Sequence, residues 1–495
     1  MRNRREWDHS RLGAGFAAAV ASAVLVALFS FGISSHALAA PAPDRFQIGF
    51  ADGLMASTDP ATRADWQDRG RAAGASLLRI NLLWDQVARE QPSDPADPSD
   101  PAYDFATLDA AIRDADARGY EVMLTVFSAP AFAEAERPPG VTAPAGTYKP
   151  IPGALGAFAT ALATRYSGHF AIADDPLPAV PYLQAWLEPN LSTYLTPQWE
   201  STATSSGLTP ASPSHYREML NAFYAGAKRG NSAIEIVAAG TAPYGDEPGG
   251  LRMRPLLFWR QVLCLRDNLE AGRACPDRSE RPRMDVFTHH PINTSGAPTR
   301  SALDPDDATG ADFGELTAIL RAAEAAKLIR PGGDRELWAT EFWWESDPPD
   351  GFNGYPPARQ ARFIEQTLFQ LWRAGASAGI LLQIRDDPID AARPTDTLQS
   401  GIFDLAGNPK PALTAVRFPF VVSREGDRGL LAWGIAPLSG KVEIKLRRRN
   451  EWQRVDSTSV NAGGVFALRV GGLRRGVFRA EIGAQRSLAW KLGGH

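Results

Sequence analysis

Cysteine is nearly missing from this chain of 495 residues: Cys264 and Cys275 are the two it has. Two sulfurs do not complete a tetrahedral shell, which excludes a cysteine-built structural metal module. No Gly-x-Gly-x-x-Gly turn follows the first apolar run, so the fingerprint of a dinucleotide-binding fold is missing too. Positive charge is not in excess, the formal net charge being −4, and no nucleic-acid reader motif occurs, which disfavours nucleic acid as a partner.

What is present is apolar mass, 44% of residues, enough for one large domain and a smaller one. The first forty residues stand apart. Arg2, Arg4 and Arg5 precede an uncharged stretch from Leu12 to Ser35, and Ala37, Leu38 and Ala39 then give a small-residue cleavage pattern. Residues 1–40 are therefore expected to be a signal peptide or an uncleaved membrane anchor, and the remainder to work outside the cytoplasm, secreted or associated with the cell envelope. In that oxidising setting Cys264 and Cys275, with "LRDNLEAGRA" between them, are expected to form a disulfide contributing about 2 to 3 kcal/mol. Charge is uneven as well. Residues 418–495 carry 14 basic and 6 acidic side chains, +8, whereas Pro41 to Arg417 carries −14.

From Phe46 onward eight short apolar runs alternate with amphipathic segments: "FQIGF", "SLLRINLLW", "YEVMLTVFSAP", "YLQAWLEPN", "IEIVAAGTAP", "MDVFTHHPIN", "ELWATEFWW" and "GILLQIRDD". Several are apolar at consecutive positions, as strands buried on both faces should be. Between them, segments such as "SPSHYREMLNAFYAGAKRG" and "PPARQARFIEQTLFQLWRAG" have helical spacing, and several end in glycine (Gly119, Gly230, Gly375), where a left-handed cap is least strained. The pattern predicts an α/β fold, a (β/α)8 barrel over residues 41–417. After "NPKPALTAV" short β-like runs separated by turns predict a small antiparallel β-sandwich over 418–495. Trp433, Trp452 and Trp490 are spaced as its core, and its positive charge is expected to complement the acidic barrel, the other reading being that it holds an anionic glycan or a cell-envelope polymer.

In such a barrel, chemistry sits at the carboxyl ends of the strands. Glu188 closes the fourth run and Glu341 the seventh. Two carboxyl groups facing each other across a pocket are what glycosidic cleavage needs: one protonates the leaving oxygen, the other attacks the anomeric carbon, with a separation of about 5 to 5.5 Å implying retention. Glu345 is a rival to Glu341 but lies beyond the apolar strand. His289 and His290 end the sixth run, and adjacent strand residues point to opposite faces, so one of them can face the site and the pair does not make a metal site. Trp84, Trp186, Trp343 and Trp344 lie near strand ends where aromatic faces stack on sugars, Trp338 reads as core, and Asn190, Gln383 and Arg385 are within reach of a substrate.

"WLEPN" resembles the strand-four Asn-Glu-Pro motif of the clan A glycoside hydrolases, and "WATEFWW" resembles their strand-seven Thr-Glu-Phe-Gly-type motif. The look is nearest to the β-xylosidase and iduronidase branch, which also has Glu-Pro-Asn, a His-His-Pro-like sixth strand and a β-sandwich after the barrel. The resemblance implies a retaining enzyme acting on an extracellular oligo- or polysaccharide, with Glu188 as acid/base, Glu341 as nucleophile, Arg79 beside the nucleophile, and no cofactor or metal. One departure stands out: Leu187 occupies the place where the clan has the asparagine that bonds the sugar's 2-hydroxyl. Two rivals follow, a carbohydrate-binding barrel of the cell envelope that has lost catalysis, favoured by Leu187, and an envelope protein that meets partners through its sandwich. The sequence carries no signature of an oligomeric state.

Overall fold

Each of the eight apolar runs forms a strand: β1 Gln47–Ala51, β2 Leu77–Leu83, β3 Glu121–Phe127, β4 Tyr182–Ala185, β5 Glu235–Ala238, β6 Val286–His289, β7 Glu336–Phe342 and β8 Ala378–Leu381. In the computed structural model these strands pair in parallel, each with its neighbours in sequence, and β8 pairs with β1, which closes the ring. The description covers residues 42–201, 207–272, 280–294, 296–390, 392–393, 397–426, 429–471 and 475–492. The export segment lies outside them, and so does Cys275 with the expected disulfide. Among the described residues no helix is long and apolar enough to cross a membrane.

A helix of seven or more residues follows every strand: α1 Pro60–Ala72, α2 Ala106–Ala117, α3 Pro152–Arg165, α4 Ser212–Gly230, α5 Pro255–Val262, α6 Phe313–Ala325, α7 Pro357–Arg373 and α8 Pro411–Arg417. Their starts are chemically marked. Proline occupies the first turn of α1, α3, α4, α5, α7 and α8, where its missing N–H is no loss. The Asp59 carboxylate accepts from Thr62 N (2.9 Å) to cap α1. Gly119 (φ 73°) and Gly375 (φ 93°) take the expected left-handed conformation just past α2 and α7. Gly230 does not. It ends α4, where a Cβ would press on Thr160 O (2.5 Å) and Thr164 Oγ1 (2.8 Å) of α3, so its smallness serves close helix packing instead.

The C-terminal region is antiparallel. Strands β9 Phe420–Arg424, β10 Leu430–Ile435 and β13 Val465–Val470 make one sheet. The other has β11 Gly440–Arg448 between β12 Glu451–Val460 and β14 Gly476–Ile482. This lobe meets the barrel through aromatic surface: Trp433 lies 5.4 Å from Phe369 and 5.8 Å from Trp372 of α7, ring centre to ring centre. Trp433 and Trp490 are buried as expected. Trp452 is half-buried under the Arg479 guanidinium, 4.1 Å from its ring. The expected charge match with the barrel is not what joins the lobes. The ion pairs of the sandwich's basic residues all run to acids of the sandwich itself, among the described residues.

Candidate active site

Strand alternation sorts the inside of the barrel into layers. The lowest is apolar, with Leu77, Met123, Val237, Val286 and Trp338 in one cluster. Two residues further along, the inward side chains of four strands turn polar: Arg79, Thr125, Gln184 and Thr288. Arg79 Nε donates to Thr125 Oγ1 (3.0 Å), Thr125 Oγ1 to Gln184 Oε1 (2.8 Å), and Gln184 Nε2 to Ala238 O (3.0 Å) and Thr288 Oγ1 (3.3 Å). Buried polar groups fixed by such bonds have little rotamer freedom, so this layer is a rigid floor. Thr125, Gln184 and Thr288 were not singled out from sequence. Their signal is a lone polar residue, two positions past an inward apolar one, inside a run that is otherwise apolar.

Above that floor stand Glu188, His290 and Glu341. Past β4 the backbone enters the left-handed region at Trp186 (φ 78°) and again at Glu188 (φ 37°), a conformation that bulky non-glycine residues adopt rarely and at a cost of about 1 to 3 kcal/mol. Bonds on both sides hold it: Trp186 Nε1 donates to Tyr194 O (2.9 Å), Glu188 N to Gly240 O (3.1 Å), and Leu191 N to Glu188 O (2.9 Å). Glu341 is aimed by a different device. Ala339 pairs with Gly379 but Phe342 with Leu381, so β7 carries one residue more than β8 there. Such a bulge turns side chains out of strict alternation, and the Glu341 carboxylate reaches Arg79, a residue of the inner layer.

Glu341 Oε2 accepts from Arg79 Nη1 at 2.7 Å, and the same nitrogen donates to Thr340 O at 2.9 Å. Glu188 Oε1 lies 2.8 Å from His290 Nδ1. One ligand-type atom from each of Glu188, His290 and Glu341 falls within 4.8 Å of the others. The side chains of Glu188 and Glu341 remain 12% and 15% exposed, so both carboxyl groups open to the mouth. Burial pushes the Glu188 carboxyl up to about 7, with Arg79 opposing, and pushes the His290 imidazole down to about 3. At neutral pH the two therefore share a hydrogen bond and not an ion pair. The three side chains also form a donor set for a metal, but Arg79 already supplies the positive charge beside Glu341.

Other expected residues lie elsewhere. His289 points out of the barrel: Nδ1 meets Thr241 Oγ1 (2.8 Å) and Nε2 meets Ala308 O (2.9 Å) in full burial, so it braces loops and cannot reach a substrate. Asn190 spends its amide on backbone, donating to Ala242 O (3.0 Å) and Met253 O (2.9 Å) and accepting from Ala242 N (2.9 Å). Trp84 is buried and stacked on Phe158 at 5.1 Å, and Trp344 is buried with its Nε1 donating to Thr367 Oγ1 (2.9 Å) on α7. Packing, not sugar stacking, occupies both. Trp338 is core, as expected. Gln383 Nε2 donates to Leu398 O (3.0 Å), and the Arg385 guanidinium lies 5.4 Å from the Trp66 ring centre. Glu345 lies past β7, its Oε2 accepting from Gln399 N (3.2 Å). Trp343, two residues past Glu341, is half-buried. Asn81, missed from sequence, follows Arg79 by two on the same face of β2 and is exposed at its mouth end.

No family model matches the chain, and no curated protein does. Solved structures do. A family 39 glycoside hydrolase from Bacteroides cellulosilyticus WH2 aligns over 86% of this chain and 81% of its own, with a TM-score of 0.52 at 15% identity. A monomeric beta-xylosidase from Caulobacter crescentus CB15 aligns over 87% and 95%, with a TM-score of 0.46 at 14% identity. At these identities the likeness to the first is one of fold: an eight-stranded parallel barrel of the kind glycoside hydrolases use.

Proposed function

We propose that the chain is a retaining glycoside hydrolase in which Glu188 is the acid/base and Glu341 the nucleophile. The observation that carries this is the pair of carboxyl groups at the mouth, close enough to flank one acetal and held in unlike surroundings, one buried against a neutral imidazole and the other ion-paired with arginine. Such a difference separates proton donor from nucleophile. In the first step Glu341 attacks the anomeric carbon while Glu188 gives its proton to the departing oxygen, leaving a glycosyl ester on Glu341. In the second, Glu188 takes a proton from water, which attacks the same carbon and frees Glu341. Arg79 binds the carboxylate that is esterified and then released.

The finer assignments belong to the same reading. We take residues 1–40 as a signal peptide or membrane anchor that places the protein outside the cytoplasm, 41–417 as the catalytic region and 418–495 as an accessory lobe, with a Cys264–Cys275 disulfide. The substrate is an extracellular oligo- or polysaccharide. Leu187, buried next to Glu188, favours a second reading as a binding barrel without turnover.

A panel of aryl glycosides, followed by NMR of the released sugar, tests the proposal. Wild type should turn over an accepted glycoside with retention at the anomeric carbon, and Glu341→Gln should lose about four orders of magnitude in kcat. Inversion, or full turnover by Glu341→Gln, would remove the two-step scheme. Glycan binding by wild type with no turnover would favour the second reading.

A further inference from the structure

Acids of the C-terminal lobe are matched to a particular set of its bases. Glu481 holds Lys445 and Arg479, with Arg486 at 3.9 Å; Glu443 holds Arg454 at 3.2 Å and Lys445 at 3.4 Å; Glu425 holds Arg469 at 3.3 Å. Among the described residues, four exposed arginines stand outside these pairs. Arg447, Arg448 and Arg449 lie at the turn joining β11 to β12, and Arg475 precedes β14; all four are exposed. None has an acidic partner within ion-pair distance among the described residues.

The register gathers them. Leu446 pairs with Phe478, which puts Arg475 at the same end of the sheet as Arg447 to Arg449. Arg447 pairs with Trp452, whose ring lies under Arg479, and Arg448 pairs with Glu451, an exposed acid that forms no ion pair with it. One end of this sheet thus carries four exposed arginines around one hairpin, in a lobe of charge +8 joined to a region of charge −14.

We propose that this sheet end binds a polyanionic glycan, one bearing carboxylate or sulfate groups along its length. Guanidinium forks match both groups bidentately, and several of them at one sheet end fit a chain with repeated charge better than a single anion. A lipid surface fits less well, because interfacial binding couples basic residues to apolar ones that sink into the acyl boundary. Among the described residues the exposed large apolar side chain of this lobe is Leu438, and it precedes β11, at the opposite end of that strand from the arginines. The acidic barrel repels the same polymer, which confines it to the lobe. This inference does not rest on the chemistry of the barrel mouth.

The test is retention of the purified full chain on polygalacturonate and on dextran sulfate, with neutral dextran and phosphatidylglycerol vesicles as comparisons. Wild type should bind both polyanions, more weakly as salt rises, and leave neutral dextran unbound. Arg447→Ala/Arg448→Ala/Arg449→Ala should weaken binding at least about tenfold with an unchanged melting temperature, as exposed unpaired residues allow. Arg89→Ala/Arg266→Ala/Arg359→Ala, the same charge removed from exposed sites on the acidic region, should not. Equal binding by wild type and the hairpin variant, equal loss in both variants, or tighter binding to the vesicles than to either polymer would overturn the proposal.

Discussion

His290 Nδ1 and Glu188 Oε1 meet at 2.8 Å across the barrel mouth, a bond between the sixth strand's end and the fourth's. Because burial holds the imidazole at about 3 and the carboxyl at about 7, the proton of this pair belongs to Glu188 on the acid side of neutrality. The ring beside it is neutral.

The pH profile follows from that. A proton donor must be protonated in the free enzyme, so kcat/KM on a glycoside with a poor leaving group should fall as pH rises through about 7. The sign for stability is the same. A carboxyl raised on folding favours the folded state below its ordinary range and loses that contribution as pH climbs toward 7. Glu188→Gln should abolish the alkaline limb, and its persistence in that variant would assign the limb to another group.

Arg79 offers a coupling measurement. Arg79→Met leaves the Glu341 carboxylate without its cation and Thr125 without a donor. Breaking a buried pair costs about 3 to 5 kcal/mol, and the lower end applies because Glu341 reaches solvent. Denaturant unfolding of Arg79→Met, Glu341→Gln and the double variant should show non-additive losses; additivity would mean that the pair is not energetically coupled.

Two glycines separate site from scaffold. A Cβ on Gly240 would collide with His290 Nε2 and stand 2.7 Å from Thr340 Oγ1, whereas one on Gly226 would collide with Gly156 O where α4 crosses α3. Gly240→Ala should cut kcat/KM at least about tenfold by displacing His290 from Glu188. Gly226→Ala should lower the melting temperature, by overpacking worth about 1 to 3 kcal/mol or more, while kcat of the folded fraction stays near wild type. Steady-state kinetics beside calorimetry read both.

Asn81 is exposed on the face of β2 that carries Arg79, so its amide is free to meet a sugar hydroxyl at the mouth. Asn81→Ala should lower kcat/KM about tenfold or more with the melting temperature unchanged, as removal of an exposed polar contact to substrate would. Unaltered kinetics would place the substrate elsewhere on the rim.

The barrel was legible because burial on both faces writes each strand as an apolar run, and all eight runs quoted from the sequence are its strands. Glu188 and Glu341 were legible for the complementary reason: a charge that ends such a run needs an explanation. Period-two geometry allowed one of two adjacent histidines to face the mouth, and it is His290. What alternation could not show is where the backbone breaks it. The left-handed turn at Glu188 is held in part by Gly240, distant in sequence, and the extra residue in β7 shows only in its pairing with β8. Asn190, Trp84 and Trp344 were misjudged because proximity to a strand end does not reveal whether a side chain turns toward the mouth or into the loops and helices behind it.

The seam where Trp433 lies against Phe369 and Trp372 makes α7 and the β-lobe a single hydrophobic unit. The lobe is therefore no detachable cassette. Truncation at Phe418 would bare α7 to water and report on misfolding before it reported on any lost partner, and grafting residues 418–495 onto a foreign protein would carry along a greasy wound in need of a cover.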